Sequence, residues 1–129
     1  MYFIKFLRIS KSSLIKKNKK TNFVKGGFML WKNIFYGPVI SRRLGFSLGV
    51  NLLPNKKKIC NFNCVYCECG LNEKFKQYEP LPTLIEFENA IKDSLEYFKN
   101  IHQIINHITF SGNGEPTLHP DFDKIIDLT

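Results

Sequence analysis

Strand-like and helix-like segments alternate along the second half of this sequence, and this order limits the folds that it can adopt. Residues 47–53 alternate apolar and polar side chains and end before Pro54, which predicts a strand. Residues 104–111 are rich in apolar and β-branched side chains and predict a second, buried strand. A long loop, 54–82, follows the first strand, and a short loop, 112–114, follows the second.

Two helices are predicted after these loops. Thr83 and Glu86 have the spacing of a capping box, directly before an apolar helical period that reaches about Asn100. A second helix is predicted near Pro120, since proline is favoured in a first helical turn. This order predicts an α/β fold with parallel strands and right-handed crossovers. Because a complete (β/α) barrel needs at least about 200 residues, we expect the N-terminal part of a larger, here incomplete, barrel.

The charge is divided unevenly along the chain. Its 129 residues carry 19 Lys or Arg and 11 Asp or Glu, a formal net charge of +8. All the acidic residues lie at or after Glu68, whereas 14 of the basic residues precede it. Eight of these lie in residues 1–28, which we expect to be a basic extension that is disordered or non-functional, with residues 29–129 as the functional part. A basic arm that contacts RNA and a transit peptide are the alternatives.

The cysteines and the hydropathy bear on the cellular location. Four cysteines fall between positions 60 and 69, whereas disulfide scaffolds spread their cysteines along secreted chains. No secretory signal precedes them, and no apolar run approaches the roughly 18 residues of a membrane span. The sequence therefore predicts metal ligands in a reducing compartment, in a cytoplasmic protein that does not associate with a membrane.

The cysteine spacing suits a metal cluster. Cys60, Cys64 and Cys67 are separated by four and three residues in a loop after a strand, so that their thiolates can converge on one face of a cuboidal cluster. Iron–sulfur clusters are normally held by four cysteines, so three ligands leave one iron open to a substrate. The alternative is a zinc site of four thiolates that includes Cys69, although such sites usually consist of two separated CxxC pairs. We otherwise expect Cys69 to be a free thiol near the cluster.

A second candidate motif follows the second predicted strand, where the chain reads Gly112, Asn113, Gly114 and Glu115. Glycines permit a close backbone approach and positive φ, and a carboxylate can bind an ammonium group. An ordinary strand-to-helix turn with a surface glutamate explains the same residues on turn chemistry alone. Loops after consecutive parallel strands leave the same face of a barrel, where active sites lie. The two motifs are therefore expected to be neighbours across one ligand.

The pattern CxxxCxxC, with Tyr66 before the last cysteine, resembles the signature of the radical S-adenosylmethionine (SAM) superfamily. The resemblance implies that Cys60, Cys64 and Cys67 ligate a [4Fe-4S] cluster. It also implies that the fourth iron binds the amino and carboxylate groups of SAM, with Tyr66 beside the adenine. The chain would then form part of a radical SAM barrel.

The second motif resembles the Gly-Gly-Glu-like loop that holds the SAM amino group in this superfamily. Gly112, Gly114 and Glu115 match that loop, and Asn113 stands where the pattern often has Gly. The resemblance implies an iron–sulfur oxidoreductase that cleaves SAM reductively to methionine and a 5′-deoxyadenosyl radical, which abstracts hydrogen from a substrate. It further implies an electron donor such as flavodoxin or ferredoxin. A zinc- or RNA-binding module without redox activity and an inactive enzyme fragment are the alternatives.

Residues 36–51 resemble the lead-in of a radical SAM subgroup related to wyosine-type tRNA-modifying enzymes, which implies tRNA or another RNA as a partner. Within this stretch, Arg42 and Arg43 are either contacts to phosphate or substrate or part of a solvated surface. The sequence predicts no catalytic role for three histidines, His102, His107 and His119.

Overall fold

A computed structural model describes residues 3–6, 21–24, 28–72 and 80–129. The strands are β1 (Phe3–Phe6), β2 (Thr21–Val24), β3 (Phe28–Trp31), β4 (Phe35–Ser41), β5 (Gly45–Val50) and β6 (His107–Phe110). The helices are α1 (Leu84–Asn100), a 3₁₀-helix (Pro116–Leu118) and α2 (Phe122–Asp127). Within these residues, no helix is long and apolar enough to cross a membrane.

A four-stranded mixed sheet, in the order β1-β6-β5-β4, forms the centre of the fold. Its two inner strands, β5 and β6, are parallel and correspond to the two strands that the alternation predicts. The outer strands β1 and β4 are antiparallel to their neighbours, and β2 and β3 form a separate antiparallel pair. Among the strands named above, β5 and β6 are thus the parallel pair, and the barrel stays a prediction.

Strand β4 was missed in the sequence because Gly37 and Pro38 interrupt its alternation. The register with β5 shifts between Tyr36 and Val39, where these two residues lie. Proline lacks the N–H of a strand residue, so it is tolerated at the edge of a sheet, which is where β4 lies.

Strand β5 ends earlier than predicted because hydrogen bonds from an asparagine side chain take the place of hydrogen bonds between strands. The predicted strand, 47–53, extends past the observed end at Val50. There Asn51 Oδ1 accepts the Leu53 N–H at 3.3 Å, and its Nδ2 donates to the Leu53 carbonyl at 2.9 Å. Such local side-chain bonds turn the backbone out of a strand.

The predicted capping box at the start of α1 is confirmed. Thr83 Oγ1 accepts the Glu86 N–H at 3.2 Å, and Glu86 Oε2 accepts the Thr83 N–H at 2.7 Å. The Thr83 N–H and the Thr83 hydroxyl both donate to the Glu86 carboxylate, and these two bonds hold the pKa of Glu86 below its usual value. The second helix, α2, begins at Phe122, two residues after Pro120 and thus close to the predicted start, and a 3₁₀-helix precedes it.

The two faces of the central strand pair differ in character. One face carries apolar side chains that are almost fully buried against the helices: Leu48, Val50, Ile108 and Phe110 against Phe87, Ile91, Phe98 and Ile125. Burial of each large side chain contributes about 2–3 kcal/mol. On the other face, the hydroxyls of Ser47 and Thr109 are hydrogen-bonded to each other. This polar face is the one that borders the candidate site.

Two short strands, β1 and β2, lie within the basic extension 1–28. Strand β1 pairs with β6 over the register from Phe3 to Phe110 through Phe6 to His107. Residues 7–20 and 25–27 of the extension, and residues 73–79 of the long predicted loop, lie outside the described residues. The function of the extension therefore stays a prediction.

Candidate metal and cofactor site

The two candidate motifs lie in loops at the same edge of the sheet. Strands β5 and β6 are parallel, so their carboxyl ends lie side by side. The cysteine loop (residues 54–72) comes after β5, and the glycine loop (residues 112–115) comes after β6. Ligands of α/β proteins commonly bind at the carboxyl ends of parallel strands. The topology thus brings both motifs to the edge where a ligand site is expected.

A short backbone ladder joins the two loops directly. The Ile59 N–H donates to the Asn113 carbonyl at 2.8 Å, and the Glu115 N–H donates to the Ile59 carbonyl at 3.0 Å. Ile59 and Gly114 thereby form an isolated parallel β-bridge. Because Cys60 is the next residue after Ile59, the bridge holds the first cysteine beside the glycine loop.

Gly114 is needed for this bridge. Its φ is +145°, a conformation that residues with a side chain rarely adopt. A Cβ atom at this position would lie 1.7 Å from the Ile59 carbonyl oxygen, far inside van der Waals contact. Any other residue would therefore force the two loops apart.

Asn113 is a buried anchor, which accounts for asparagine at a position where the superfamily pattern often has glycine. Its side chain is 0% exposed. Its Nδ2 donates to the carbonyls of Trp31 at 2.8 Å and Pro54 at 2.7 Å, and its Oδ1 accepts the Trp31 N–H at 2.7 Å. Its own N–H donates to Asn51 Oδ1 at 3.0 Å. A glycine here would lose three of these four bonds.

All four cysteines are free thiols of intermediate exposure, and they line one cavity of about 510 Å³. This volume lies within the range of about 300–1,000 Å³ that is usual for small-molecule sites. The glycine loop and the polar face of β5 and β6 line the same cavity. A larger cavity, of about 640 Å³, lies between Lys32 and the start of α1 and contains no cysteine. The cysteine-lined cavity is therefore the better candidate for metal and cofactor chemistry.

The backbone around the cysteines suits a cluster of thiolate ligands. The Cys67 N–H donates to the Cys64 carbonyl at 3.1 Å, and the Gly70 N–H donates to the Cys67 carbonyl at 3.0 Å, which folds the segment into consecutive turns. The Phe62 N–H donates to Cys60 Sγ at 3.4 Å. Hydrogen bonds to cysteine sulfur are among the features that tune iron–sulfur clusters. The donor set of this loop therefore fits a cluster.

Within the described ranges, no three side chains of His, Cys, Asp or Glu are placed so that they could hold one metal ion together. A cuboidal cluster takes each thiolate on a different iron atom, so its ligands are spaced more widely than those of a single ion. The assignment of Cys60, Cys64 and Cys67 as cluster ligands stays a prediction.

Cys69 differs from an ordinary surface thiol. Its Sγ donates to the Gly112 carbonyl at 3.2 Å, which adds a second link between the two loops. Burial raises the pKa of the Cys69 thiol from 9.0 to about 11; the nearby Cys67 adds to the increase, and Lys58 opposes it. The thiolate is the metal-binding form of cysteine, and this thiol stays protonated at neutral pH. These features favour a free thiol at Cys69.

The other two residues of the predicted SAM loop have local roles as well. A Cβ at Gly112 would lie 2.4 Å from Asn51 Oδ1, so glycine leaves room for that side chain. Glu115 is 7% exposed, and its Oε1 accepts the Thr117 hydroxyl at 2.7 Å and the Thr117 N–H at 3.3 Å, which caps the 3₁₀-helix. Glu115 also lines the cysteine cavity. Glu115 thus caps the 3₁₀-helix and also lies on the cavity wall.

Tyr66 lies at the exposed rim of the cavity. Its side chain is 83% exposed, and the adjacent Val65 is 96% exposed. Phe62, on the same loop, is 54% exposed. Neighbouring exposed apolar side chains are characteristic of surfaces that contact a ligand or a partner. The position of Tyr66 beside an adenine stays a prediction.

The remaining sequence candidates lie away from this chemistry. Arg42 and Arg43 are exposed in the turn between β4 and β5, and neither lines the cysteine cavity. His119 is buried and has a structural contact: its Nδ1 accepts the Asp121 N–H at 3.1 Å, so its Nε2 carries the proton and donates to the Pro82 carbonyl at 2.8 Å. It ties the start of α2 to the end of the long predicted loop.

Two features of the cavity wall were missed in the sequence. Lys58 is the last of a triplet of consecutive lysines, Lys56–Lys58, and it is only 5% exposed. The rings of Trp31 and Tyr36 are stacked with centroids 3.7 Å apart, and the Tyr36 hydroxyl is hydrogen-bonded to the Ser111 hydroxyl at 2.6 Å. The glycine at position 49 is the sequence feature related to this stack, because a Cβ there would lie 2.2 Å from the Tyr36 ring.

Comparison with known proteins finds relatives that are much longer than this chain. Proteins named UPF0026 from two Helicobacter pylori strains, J99 and 26695, are 44% identical over 93 residues, which is 72% of this chain and 29% of each of those proteins. A UPF0026 protein of Methanocaldococcus jannaschii is 36% identical over 100 residues. The chain spans about 29% of the length of these relatives.

A protein of Brachyspira hyodysenteriae named GTPase Obg is also similar, with 39% identity over 114 residues. The match covers 88% of this chain and 15% of that protein. No family model matches the chain, and no solved structure matches it significantly.

Proposed function

We propose that this chain is the cluster- and cofactor-binding part of a radical SAM enzyme. The observation that carries the proposal is the backbone bridge between Ile59 and Gly114. It places the three-cysteine motif and the Gly-Asn-Gly-Glu motif on one cavity, as a site that holds both a cluster and SAM requires. The two motifs were identified separately in the sequence, so their meeting at one cavity is independent support.

In this proposal, Cys60, Cys64 and Cys67 ligate a [4Fe-4S] cluster. Three thiolates leave one iron without a protein ligand, and that open position is what allows SAM to bind. When both are bound, the cluster and SAM supply one-electron reductive cleavage of SAM to methionine and a 5′-deoxyadenosyl radical, chemistry that belongs to the cofactors. The chain itself binds and orients the two groups and limits the access of water.

The glycine loop is proposed to hold the amino end of SAM. Glu115 contributes a carboxylate, and a charge-assisted hydrogen bond to an ammonium group is stronger than a neutral one. Gly112 and Gly114 allow the backbone to approach the ligand closely. Tyr66, at the cavity rim, is proposed to contact the adenine.

Partners and location are also proposals. A flavodoxin or ferredoxin is the class of electron donor that this chemistry needs, and the exposed apolar side chains near Tyr66 offer a contact surface. Contact with tRNA or another RNA is supported by the basic charge and by the resemblance of residues 36–51 to the lead-in of the wyosine-related subgroup. The four free thiols favour a reducing, cytoplasmic location. The substrate is not assigned, because the chain covers only 29% of its UPF0026 relatives.

The test is anaerobic reconstitution with iron and sulfide, followed by EPR of the reduced protein with and without SAM. We expect about four irons per chain and an EPR signal of a reduced [4Fe-4S] cluster that changes shape when SAM is added. Alanine at Cys60, Cys64 or Cys67 should abolish the cluster.

Cys69→Ala is the matched control, because it removes a thiol of the same loop that the proposal does not use. It should keep the iron content and the SAM response. If Cys69→Ala loses the metal together with the other three variants, or if the wild-type chain binds one zinc tightly and no cluster, the radical SAM proposal is wrong and a four-thiolate zinc site replaces it.

A further inference from the structure

Lys58 is a buried cation on the wall of the cysteine cavity. Its side chain is 5% exposed, whereas Lys56, two positions earlier, is exposed. Its Nζ donates to the Gly70 carbonyl at 2.6 Å. In the part of the chain that the structure describes, no carboxylate lies within ion-pair distance of Lys58. The ammonium group thus has one carbonyl partner and no described counter-charge.

A buried ammonium group without a counter-ion is costly. Removal of a charge from water is unfavourable, and proteins usually offset this with an opposite charge. One hydrogen bond to a neutral carbonyl recovers only part of the cost. An anionic group that binds next to Lys58 would supply the missing counter-charge.

The cavity that Lys58 lines is where the proposed anion would be. Cys60, Cys64, Cys67 and Cys69 line the same cavity as Lys58. Lys58 also acts electrostatically to lower the pKa of the Cys69 thiol, against the larger effect of burial. Three thiolates give an iron–sulfur cluster a net negative charge in its oxidised form, and uptake of one electron adds another. The more reduced the cluster, the more a fixed cation stabilises it.

We propose that the Lys58 ammonium is the counter-charge of the iron–sulfur cluster and stabilises its reduced form. This inference rests on the proposed function and deepens it, since it identifies the residue that makes one-electron reduction easier. The electron comes from a low-potential one-electron donor and reduces the cluster, from which it would pass to bound SAM. Lys58 acts by charge and position and takes no part in bond making or breaking.

A purely structural role is the competing explanation, because the bond to Gly70 also closes the cysteine loop. The Lys58→Gln variant separates the two roles, since an amide can still donate to a carbonyl but carries no charge. Lys58→Arg keeps both the charge and the donor. Lys56→Gln removes the same charge from an exposed position of the same triplet and is the matched control.

The experiment is an EPR-monitored redox titration of the reconstituted 129-residue chain, with iron content measured for each variant. We expect Lys58→Gln to keep its iron and to have a midpoint potential clearly lower than that of the wild type. Lys58→Arg should recover most of that shift, and Lys56→Gln should have the wild-type potential.

An unchanged potential in an iron-loaded Lys58→Gln protein overturns the inference and leaves the proposed function intact. So does a Lys58→Gln protein that unfolds or takes up no iron, because Lys58 is then needed for the loop itself. An equal shift in Lys56→Gln would also overturn it, since exposed and buried charges would then act alike. Failure of the wild type to bind a cluster would instead refute the proposed function.

Discussion

The cysteine loop and the glycine loop occupy equivalent places after two parallel strands, yet they are built differently. In the glycine loop, Asn113 is fully buried and hydrogen-bonded on every side, and Glu115 is 7% exposed. In the middle of the cysteine loop, Val65 and Tyr66 are 96% and 83% exposed. The glycine loop is held by hydrogen bonds within the protein, whereas the cysteine loop has largely exposed side chains. This difference is what a site needs if the protein supplies one wall and a bound group organises the other.

The largest effect is expected where the two loops meet. Gly114→Val would introduce strain at φ +145° and break the two backbone hydrogen bonds of the bridge to Ile59. Strain of about 1–3 kcal/mol and the loss of two bonds of about 1 kcal/mol each give a destabilisation of about 4 kcal/mol. Urea unfolding, followed by fluorescence of the single tryptophan, measures this.

Val65→Ala is the control for Gly114→Val, since it lies in the exposed part of the cysteine loop and should change stability by less than about 0.5 kcal/mol. Equal stability of the two variants would show that the bridge does not hold the loops together.

A somewhat smaller effect is expected at the buried anchor of the glycine loop. Asn113→Ala removes the side-chain partner of the Trp31 N–H and of the Pro54 carbonyl, and it leaves the Trp31 carbonyl with only the longer bond from Asn51 Nδ2 at 3.4 Å. We expect a loss of about 3 kcal/mol in the free energy of unfolding. Asn113→Gly, which installs the residue common in the superfamily pattern, should cost at least as much.

The exposed Asn61 gives the matched comparison for Asn113. Asn61→Ala should alter the unfolding free energy by less than about 0.5 kcal/mol. If Asn61→Ala lowered the unfolding free energy more than Asn113→Ala, the contrast between the two loops would be wrong.

An effect of intermediate size is expected on the reactivity of the cysteines in the metal-free protein. The pKa of Cys69 is raised from 9.0 to about 11, so below pH 9 its thiolate fraction is about a hundredfold smaller than that of an ordinary thiol. The greater nucleophilicity of a more basic thiolate offsets part of this, which leaves alkylation about tenfold slower. Mass spectrometry after timed iodoacetamide treatment at pH 8 should find Cys69 modified last.

The pH dependence of Cys69 alkylation follows from the same raised pKa. Because the pKa is raised, Cys69 stays a thiol through neutral pH, and its rate should still be rising with pH above 9. A Cys69 that reacts first, or whose rate levels off near pH 9, would mean that Cys69 is not buried in solution as it is in this fold.

The smallest effect on stability is expected at the rim. Tyr66→Leu replaces a side chain that is 83% exposed, so the unfolding free energy should change by less than about 0.5 kcal/mol. If Tyr66 contacts the adenine, the same variant should need a higher SAM concentration to change the EPR signal of the cluster. A wild-type SAM response would remove Tyr66 from the cofactor site.

The sequence predicted those parts of the molecule whose signals are local. The capping box at Thr83 and Glu86 depends on residues three apart, and the alternation around Leu48 and Val50 depends on neighbours in one strand. The same local logic failed for β4, because Gly37 and Pro38 broke the period of a strand whose pairing with β5 is a tertiary property.

The candidate site shows the same limit. Motif spacing identified the cysteines and the glycine loop, but it gave no reason for Asn113, whose partners Trp31 and Pro54 are far away in sequence. The sequence also gives no sign that Lys58 is buried while Lys56 is exposed, because burial depends on how the loops pack around each side chain. Long-range packing, which no single local pattern encodes, separates the two.

The bridge between Ile59 and Gly114 also sets an order of events. Its two halves are 55 residues apart, and they can meet only after β6 has docked beside β5. Non-local parallel pairing is slow because the intervening chain must first close into a loop. During synthesis on the ribosome, the cysteines emerge well before the segment that anchors them. If the cysteines hold the proposed cluster, iron delivered earlier would meet thiols on an unanchored loop, and productive loading would follow translation of β6.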